Sequence, residues 1–424
     1  MKRTKEVYPV KDLPNIKEQI LHWVNQFSVC SFLDNHQYHS AHHSVECIAA
    51  AGEIGIIQGA NTALQIDAFY TTHQDWLFGH FSYEYNAKHP NKTQKKNPIN
   101  FSDAFFFRPD HILTLNQEWL IIESHSLLPD NIFEEILATK SVIKQIDPIS
   151  ITADMSKERY IATIQQLQAH IQQGDCYEIN FCQEFHSQNA SIDPIALYAQ
   201  LTALSPTPFA CFYKEYNAHL ICASPERWLK KQGNQIISQP IKGTVKRELT
   251  DEVKDTLLKN ELFQSSKDRS ENVMVVDLVR NDFSRVCKAG TVKVDELFGI
   301  YSFPQVHQMI STISGQLLDG IGMSELLNTG FPMGSMTGAP KKKVMELIQQ
   351  YEPIERGLFS GAVGYINPNK DFDFNVVIRS LLYNAQNHYL SYLVGSGITI
   401  YSNPEQEYEE CLLKAKAMET VLGN

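Results

Sequence analysis

The sequence has no long apolar run, no paired cysteines and no excess of positive charge. No apolar stretch approaches the roughly 20 residues that a membrane span requires, and the opening stretch MKRTKEVYPVKDLPNIKEQI has nothing of the signal-peptide type. The eight cysteines are scattered without a Cys-x-x-Cys pair, which indicates reduced thiols rather than a disulfide scaffold. The formal net charge of −11 argues against nucleic acid as the main partner, because a phosphate backbone is bound by clustered Lys and Arg. We therefore expect a cytoplasmic protein that binds neither nucleic acid nor a membrane.

The chain can fold around a large core, since 43% of its 424 residues are hydrophobic and 20% are charged. Residues 1–150 mix short apolar runs such as EIGIIQGA and EWLIIES with loops, a pattern typical of strands. A clear helical pattern begins after residue 150, with Ser156 as its N-cap and Gly174 just beyond its end. We predict two domains: a strand-rich N-terminal region at residues 1–150, packed on a second domain at residues 151–424.

Helices and strands alternate irregularly in the second domain. CYEINFCQEF predicts a strand, PIALYAQLTAL predicts a helix, residues 209–244 predict three strands, and the region around 251–282 has a helical pattern. This order does not suit a doubly wound parallel sheet. Meandering strands with helices on the outside favour an α+β layered architecture.

The stretch GFPMGSMTGAPKKKVMELIQQYE, residues 330–352, predicts a helix that begins near Pro340 after a loop rich in Gly, Ser and Thr. Free backbone N–H groups at such a helix start can bind a carboxylate or a phosphate. The spacing does not fit the nucleotide-binding pattern G-x-x-x-x-G-K-[ST]. A capped structural helix without a ligand is the alternative, and this stretch alone favours it.

Several acidic side chains are candidates for a metal site. Glu407, Glu410 and Lys414 lie three and four residues apart on a helix that Asn403 is expected to cap. Two carboxylates on one helical face can hold Mg²⁺, but Glu/Lys pairs are also common on exposed helices, and taken alone the pattern favours the exposed helix. Glu271, in the apolar helix that contains ENVMVVDLVRND, is a further acidic candidate.

Two basic residues are predicted in unusual positions. Arg379 lies in the apolar stretch DFDFNVVIRSLLY, where a predicted buried strand would oblige its guanidinium to find a carboxylate from the protein or a ligand. Lys242, in QPIKGTVKR, lies where a strand breaks into a turn. An exposed lysine keeps a pKa near about 10.4 and is a poor nucleophile at neutral pH, whereas burial lowers that pKa.

Considered together and in order, these stretches resemble the chorismate-utilising family, which contains anthranilate synthase large subunits, aminodeoxychorismate synthases and isochorismate or salicylate synthases. The matching stretches, spread over residues 150–424, are SPERWL, QPIKGT, ENVMVVDLVRND, FPQVHQMIST, FPMGSMTGAPK, FSGAVGYI, FNVVIRSL, GSGIT and PEQEYEECLLKA. The resemblance implies a layered sandwich of large, mostly antiparallel sheets with helices outside, as in anthranilate synthase component I. It also implies an Mg²⁺-dependent enzyme that acts on chorismate, a ring with two carboxylates.

The resemblance assigns roles to individual positions. The metal positions of the family are matched by Glu271, Glu407 and Glu410. The catalytic positions are matched by Lys242, by Glu226 as the acid that helps the C4 hydroxyl leave, and by His307. The substrate-binding positions are matched by Arg379, Ser335, Thr244, Gly395, Gly397 and Lys414. An acid that is protonated at neutral pH requires the raised pKa that an apolar pocket supplies.

The residue type at the position of Lys242 distinguishes the members of the family from one another. Lysine in the motif P-I-x-G-T is the mark of aminodeoxychorismate synthases, whereas anthranilate synthases have alanine there. The resemblance therefore implies that the Lys242 amine, with its pKa lowered by desolvation, attacks C2 of chorismate as the C4 hydroxyl leaves, and that ammonia then enters at C4. The product is 4-amino-4-deoxychorismate, the precursor of para-aminobenzoate and folate. A role for Lys242 as a base, without a covalent adduct, stays open.

Other features bear on the partner and on the alternatives. Glu178 lies where many relatives have glutamine and isochorismate synthases have a lysine base, and the absence of that lysine argues against water as the nucleophile. No glutaminase signature is recognised, so we expect ammonia to come from a separate glutamine amidotransferase or from solution, and we expect a transient heterodimer with the amidotransferase. One alternative is anthranilate synthase component I, which Lys242 disfavours. The other is a non-catalytic binding or regulatory subunit with the same fold, which the full set of acid, metal and lysine positions disfavours.

Overall fold

The computed structural model describes residues 3–39, 42, 45–86, 95, 97–140 and 146–423, and these form twenty strands and ten α-helices. The strands are β1 (Thr4–Pro9), β2 (Val29–Asp34), β3 (Cys47–Gln58), β4 (Leu77–Phe81), β5 (Ala104–Leu115), β6 (Trp119–Ser124), β7 (Thr152–Ala153), β8 (Glu178–Ser187), β9 (Phe209–Glu215), β10 (Ala218–Ser224), β11 (Arg227–Gln232), β12 (Gln235–Gln239), β13 (Ile241–Lys246), β14 (Lys293–Ser302), β15 (Val306–Gln316), β16 (Gly338–Ala339), β17 (Ala362–Ile366), β18 (Phe372–Val376), β19 (Ser380–Asn384) and β20 (Tyr389–Ile398). The helices are α1 (Leu13–Val24), α2 (Thr62–Thr72), α3 (Pro129–Ala138), α4 (Lys157–Gln172), α5 (Pro194–Leu204), α6 (Glu252–Gln264), α7 (Ser266–Val286), α8 (Met323–Gly330), α9 (Lys341–Tyr351) and α10 (Pro404–Val421).

Antiparallel pairings connect the strands into one large sheet with a hydrophobic core on each face. Alternate residues of a strand point to opposite faces, and in β9 Cys211 and Tyr213 join one core while Ala210 and Phe212 join the other. Helices cover both cores: α7 contributes apolar residues to the first, and α4, α5 and α10 contribute to the second. The predicted α+β class, with a large antiparallel sheet and helices outside, is confirmed.

The helix boundaries that the sequence predicted are confirmed where a cap marks them. The side chain of Ser156 accepts a hydrogen bond from the N–H of Arg159 at the start of α4, and Gly174 lies beyond its end with φ of +84°. Asn403 caps α10 in the same way, by accepting a hydrogen bond from the N–H of Gln406. The prediction of three strands over residues 209–244 was wrong, since β9 to β13 divide this region into five.

Strands from both sides of residue 150 belong to the same sheet. Residues of β2 pair with β9, and residues of β4 pair with β17, in both cases antiparallel. The division into domains at residue 150 stays a prediction. Among the helices of the described ranges, none combines the length and apolar character needed to cross a bilayer.

Candidate active site

A cavity with about 980 Å³ of empty space, part of it open solvent, is lined by residues of β13, α7, β20 and α10. Ten of the twelve residues selected from the sequence line this cavity. They are Glu226, Lys242, Thr244, Glu271, Ser335, Arg379, Gly395, Gly397, Glu410 and Lys414. Side chains that are far apart in the sequence therefore face one shared space.

A β-bulge positions Lys242. The pairing of β13 with β15 is interrupted between Ile241 and Thr244, and a bulge of this kind re-aims the side chains within it. Gly243 occupies the bulge with φ of +93°, a conformation that favours glycine. The turn that the sequence predicted at Lys242 is therefore an irregularity inside a strand, and it places the lysine on the cavity wall.

The Lys242 ammonium forms a buried ion pair with Glu178. The distance from Lys242 Nζ to Glu178 Oε1 is 2.5 Å, and the two side chains are 10% and 2% exposed. Gly397 in β20 leaves room for the pair, because a Cβ atom there would lie 2.9 Å from Glu178 Oε1 and 3.0 Å from Lys242 Nζ. A side chain at position 397 would thus disturb both partners.

The prediction that desolvation lowers the pKa of Lys242 was wrong. Burial acts in that direction, but the negative charges of Glu178 and Glu271 outweigh it, so the pKa of Lys242 is raised above its usual value. The resting lysine is an ammonium, not a free amine. The sequence could not indicate this, because Glu178 lies 64 positions away.

Glu226 has the properties of an acid. It is 3% exposed, and its Oε1 accepts a hydrogen bond of 2.6 Å from the hydroxyl of Ser335. Burial raises its pKa to about 7, although the Ser335 hydrogen bond and the positive charges of Lys242 and Arg379 oppose the rise. A carboxyl group with this pKa retains a proton in a substantial fraction of molecules at neutral pH, so it can protonate a leaving group.

Arg379 supplies a positive charge that the described residues do not neutralise. It lies between β18 and β19, not within a strand as the sequence predicted, and its φ of +50° is a strained conformation for a residue other than glycine. Burial lowers its pKa to about 10 although the charge of Glu226 opposes this shift, and no carboxylate of the described residues lies close enough to form a salt bridge with it. A desolvated guanidinium on a cavity wall is a site for an anionic ligand.

The predicted metal ligands surround a lysine that the sequence analysis missed. Lys267 Nζ lies 3.3 Å from Glu407 Oε1 and 3.9 Å from Glu271 Oε1, and Glu410 pairs with Lys414 at 2.8 Å. The Glu271 Oε1 atom is buried and accepts no hydrogen bond from any described residue, and burial raises the pKa of Glu271 to about 7. These oxygen donors fit Mg²⁺, which needs one or two protein carboxylates, although no three acidic, His or Cys side chains of the described chain already form a compact metal cluster.

Two selected residues lie away from the cavity wall. His307 lies in β15 and is 2% exposed. Its ring forms hydrogen bonds with Asp255 Oδ1 at 3.1 Å and with Ser302 Oγ at 2.8 Å. Glu407 is buried behind Lys267, which itself lines the cavity. The catalytic role of His307 stays a prediction. Lys267 could have been found from the sequence, since it precedes Glu271 by four residues in the same helix.

Comparison with known proteins finds a matching family model and related sequences. A family model described as "chorismate binding enzyme" matches residues 28–420. Aminodeoxychorismate synthase component 1 of Escherichia coli is 37% identical over 69% of this chain and 66% of its own length. The chloroplastic aminodeoxychorismate synthase of Arabidopsis thaliana is 35% identical over 75% of this chain and 37% of its own length. The matches therefore span between about a third and two thirds of these relatives.

The fold is also found among solved structures. The crystal structure of anthranilate synthase component I from Streptococcus pneumoniae superposes with a TM-score of 0.77. The superposition covers 90% of this chain and 95% of that chain at 20% sequence identity. At this level of identity the likeness establishes the fold alone.

Proposed function

Because the chain belongs to the family of chorismate-binding enzymes, we propose that it converts chorismate and ammonia to 4-amino-4-deoxychorismate. The observation that carries the proposal is the presence of Lys242 and Glu226 on the wall of one cavity, so that a nucleophile and an acid can reach the same ring. The names of the relatives from Escherichia coli and Arabidopsis thaliana support this reading over anthranilate synthesis.

The cavity offers positive charge for a carboxylate of the ring. Arg379 is a desolvated guanidinium, and a charge-assisted hydrogen bond to a carboxylate would compensate for its burial. Gly395 lies beside the backbone carbonyl of Phe181 and the sulfur of Cys182, so a larger residue cannot replace it without displacing that strand. The missing side chain of Gly395 thus lets β20 pack closely against β8.

The chemical step divides between two residues. The Lys242 nitrogen would form a bond to C2 while the C4–O bond breaks, and Glu226 would give its proton to the departing hydroxyl, which leaves as water. Ammonia would then form the C4–N bond as the lysine nitrogen leaves C2. The Lys242 ammonium must lose a proton before the first bond forms, because a protonated nitrogen has no free electron pair.

We place Mg²⁺ at Glu271 and Glu410 on the cavity wall, with Glu407 behind them. When bound, the ion would neutralise carboxylate charge and orient the ring carboxylate. The buried Oε1 of Glu271, which accepts no hydrogen bond from a described residue, supports this position, as does the Lys267 ammonium, which lies near Glu271 and Glu407.

The Glu271→Gln and Glu410→Gln variants are expected to weaken Mg²⁺ binding by about tenfold or more, since each removes one oxygen charge from the site. Titration calorimetry with Mg²⁺ alone measures this without turnover. Glu409→Gln, an exposed neighbour in α10, is the matched control and should bind Mg²⁺ like the wild type. Equal affinities for all four proteins would place the metal elsewhere.

The pH dependence of kcat should reflect the protonation of Glu226. Its acid form is present below the pKa of about 7, so kcat is expected to fall as pH rises above about 7. Glu226→Gln should lower kcat by about 10²-fold at pH 6.5 and remove the decline above pH 7. Steady-state rates between about pH 6 and pH 9 test this. A decline that persists in Glu226→Gln would assign it to another group.

We further propose a glutamine amidotransferase as the source of ammonia and the cytoplasm as the location. The structure supports the second point, because all eight cysteines are buried as free thiols, the form expected in a reducing compartment.

One assay tests the proposed activity against its alternatives. The protein is incubated with chorismate, Mg²⁺ and ammonium, and the lyase that releases para-aminobenzoate is then added. Aminobenzoate that appears only with the lyase supports the proposal. Anthranilate without the lyase would indicate an anthranilate synthase, and no product would indicate a non-catalytic subunit.

A further inference from the structure

The ion pair at Lys242 poses a problem that the proposed function does not solve. Four carboxyl groups act on the Lys242 charge, those of Glu178, Glu271, Glu226 and Glu410, and together they favour the ammonium. Attack on the ring needs the free amine. A group within reach of Nζ must therefore take the proton at the moment of reaction.

Among the described residues, one of these four carboxylates accepts a hydrogen bond from the lysine nitrogen. Glu178 Oε1 lies 2.5 Å from Lys242 Nζ, a distance that a proton crosses without movement of heavy atoms. Glu226 instead accepts a hydrogen bond from Ser335, and Glu410 pairs with Lys414. The geometry thus favours Glu178 over the other carboxylates.

Glu178 lies behind the lysine instead of beside the substrate. Lys242 is on the cavity wall, whereas Glu178 is not, and the Glu178 side chain is only 2% exposed. A ring in the cavity can meet the lysine nitrogen without meeting the carboxylate. Bulk water has little access to the pair, so solvent is poorly placed to remove the proton.

We propose that Glu178 is the proton acceptor of Lys242. The carboxylate takes one proton from the ammonium, which leaves a neutral carboxylic acid and a neutral amine, and the amine's electron pair then forms the bond to C2. The C4–O electron pair leaves with the hydroxyl, which receives the Glu226 proton and departs as water. When ammonia displaces the lysine nitrogen, the Glu178 proton returns to it and restores the ion pair. The inference rests on the proposed function.

This assignment gives a physical meaning to the glutamate at position 178. A glutamine there could accept a hydrogen bond from Lys242, but its amide would not hold a proton at neutral pH. The lysine would then lose its proton to solvent, and its pKa would fall because one negative charge is gone.

The Glu178→Gln variant is expected to have a kcat about 10²-fold lower than the wild type at pH 7. The rate of the variant should also follow the fraction of Lys242 that is a free amine, and this fraction rises about tenfold per pH unit below the pKa. The ratio of variant to wild-type kcat should therefore rise about tenfold per pH unit between about pH 6.5 and pH 8.5. The ratio cancels the shared contribution of Glu226. Glu178→Asp keeps a carboxylate, so it should have most of the wild-type kcat, and the ratio of its kcat to that of the wild type should not change with pH. Glu184→Gln, which removes another buried carboxyl group from β8, is the matched control and should behave like the wild type.

Competitive labelling of amines with acetic anhydride measures how readily Lys242 loses its proton, and it needs no turnover. The exposed Lys246 of β13 is the internal reference. Relative to Lys246, Lys242 of Glu178→Gln should be labelled about tenfold faster than Lys242 of the wild type at pH 8, because its pKa is lower. A misfolded cavity would also expose Lys242 and raise its labelling. The variant must therefore keep the near-ultraviolet circular dichroism spectrum of the wild type, so that faster labelling reports the lower pKa.

A pH-independent kcat ratio, or unchanged labelling of Lys242, would overturn the inference. If the wild type makes no aminated product, the proposed function fails, and the labelling result alone then decides whether Glu178 controls the Lys242 proton. The two failures are therefore distinguishable.

Discussion

The Lys242→Ala variant is expected to form 4-amino-4-deoxychorismate about 10³-fold or more slowly than the wild type. Its side chain is the nucleophile of the proposed reaction, and no other lysine takes its place. Of the two other lysines that line the cavity, Lys414 pairs with Glu410 and donates to the carbonyl of Gly395, and Lys267 lies among the acidic groups. Removal of Lys242 therefore leaves the cavity able to bind the ring but unable to attack it.

The assay for this variant must follow two products. Aminodeoxychorismate is measured as para-aminobenzoate after addition of the lyase, and anthranilate is measured directly by its fluorescence. Since anthranilate synthases have alanine at this position of the motif, the variant is expected either to lose all amination or to form anthranilate. Retained formation of 4-amino-4-deoxychorismate at the wild-type rate would contradict the role of Lys242.

The variant needs a control for its effect on the buried partner. Lys242→Ala leaves the Glu178 carboxylate buried without its cation, which itself destabilises a protein. The double variant Lys242→Ala/Glu178→Gln removes that charge and should be equally inactive while folding more stably. Lys246→Ala, an exposed lysine on the same strand, should keep the wild-type rate.

The sequence was informative about the fold wherever a local signal exists. Capping residues marked the starts of α4 and α10, because the side chains of Ser156 and Asn403 accept hydrogen bonds from free N–H groups in the first turn. The strands of β9 to β13 were undercounted because only some of the turns between them carry a clear signal: Gly233 and Asn234 mark the turn between β11 and β12, whereas the turn between β9 and β10 has no glycine. That turn is formed by Tyr216, with φ of +52°, and Asn217, and a tyrosine seldom adopts this conformation.

The site was predictable as a set of residues but not as an electrostatic arrangement. Motifs selected the residues that line the cavity, but the charge state of Lys242 depends on a contact with a residue from another strand. The left-handed backbone of Arg379 likewise has no local signal, since an arginine seldom adopts it. Long-range contacts decide pKa values, and a single sequence does not contain them.

A buried ion pair links the walls of the cavity from behind. The Arg356 and Glu352 side chains are 1% and 2% exposed and approach to 2.6 Å. Arg356 also donates to the carbonyls of Met336 and Asn180 at 2.7 Å each, and Glu352 accepts from the N–H of Cys182 at 2.9 Å. Met336, Asn180 and Cys182 all line the cavity, so one pair fixes three parts of its wall.

The Arg356→Ala variant is expected to lower the free energy of unfolding by about 3–5 kcal/mol, because it leaves the Glu352 carboxylate buried without a cation. Urea unfolding followed by circular dichroism measures the loss. Arg280→Ala is the matched control, since Arg280 forms an exposed ion pair with Asp277 whose removal should cost less than about 1 kcal/mol. Equal stabilities of the two variants would show that the buried pair contributes no more than the exposed one.

A second comparison separates the charge of the pair from its packing. The double variant Arg356→Met/Glu352→Leu removes both charges and keeps most of the buried volume, so it should recover a large part of the stability that Arg356→Ala loses. It does not restore the hydrogen bonds to Met336, Asn180 and Cys182. We therefore expect a stable protein whose KM for chorismate is raised, because the cavity wall is no longer held from behind. A double variant with wild-type KM would show that packing alone keeps the wall in place.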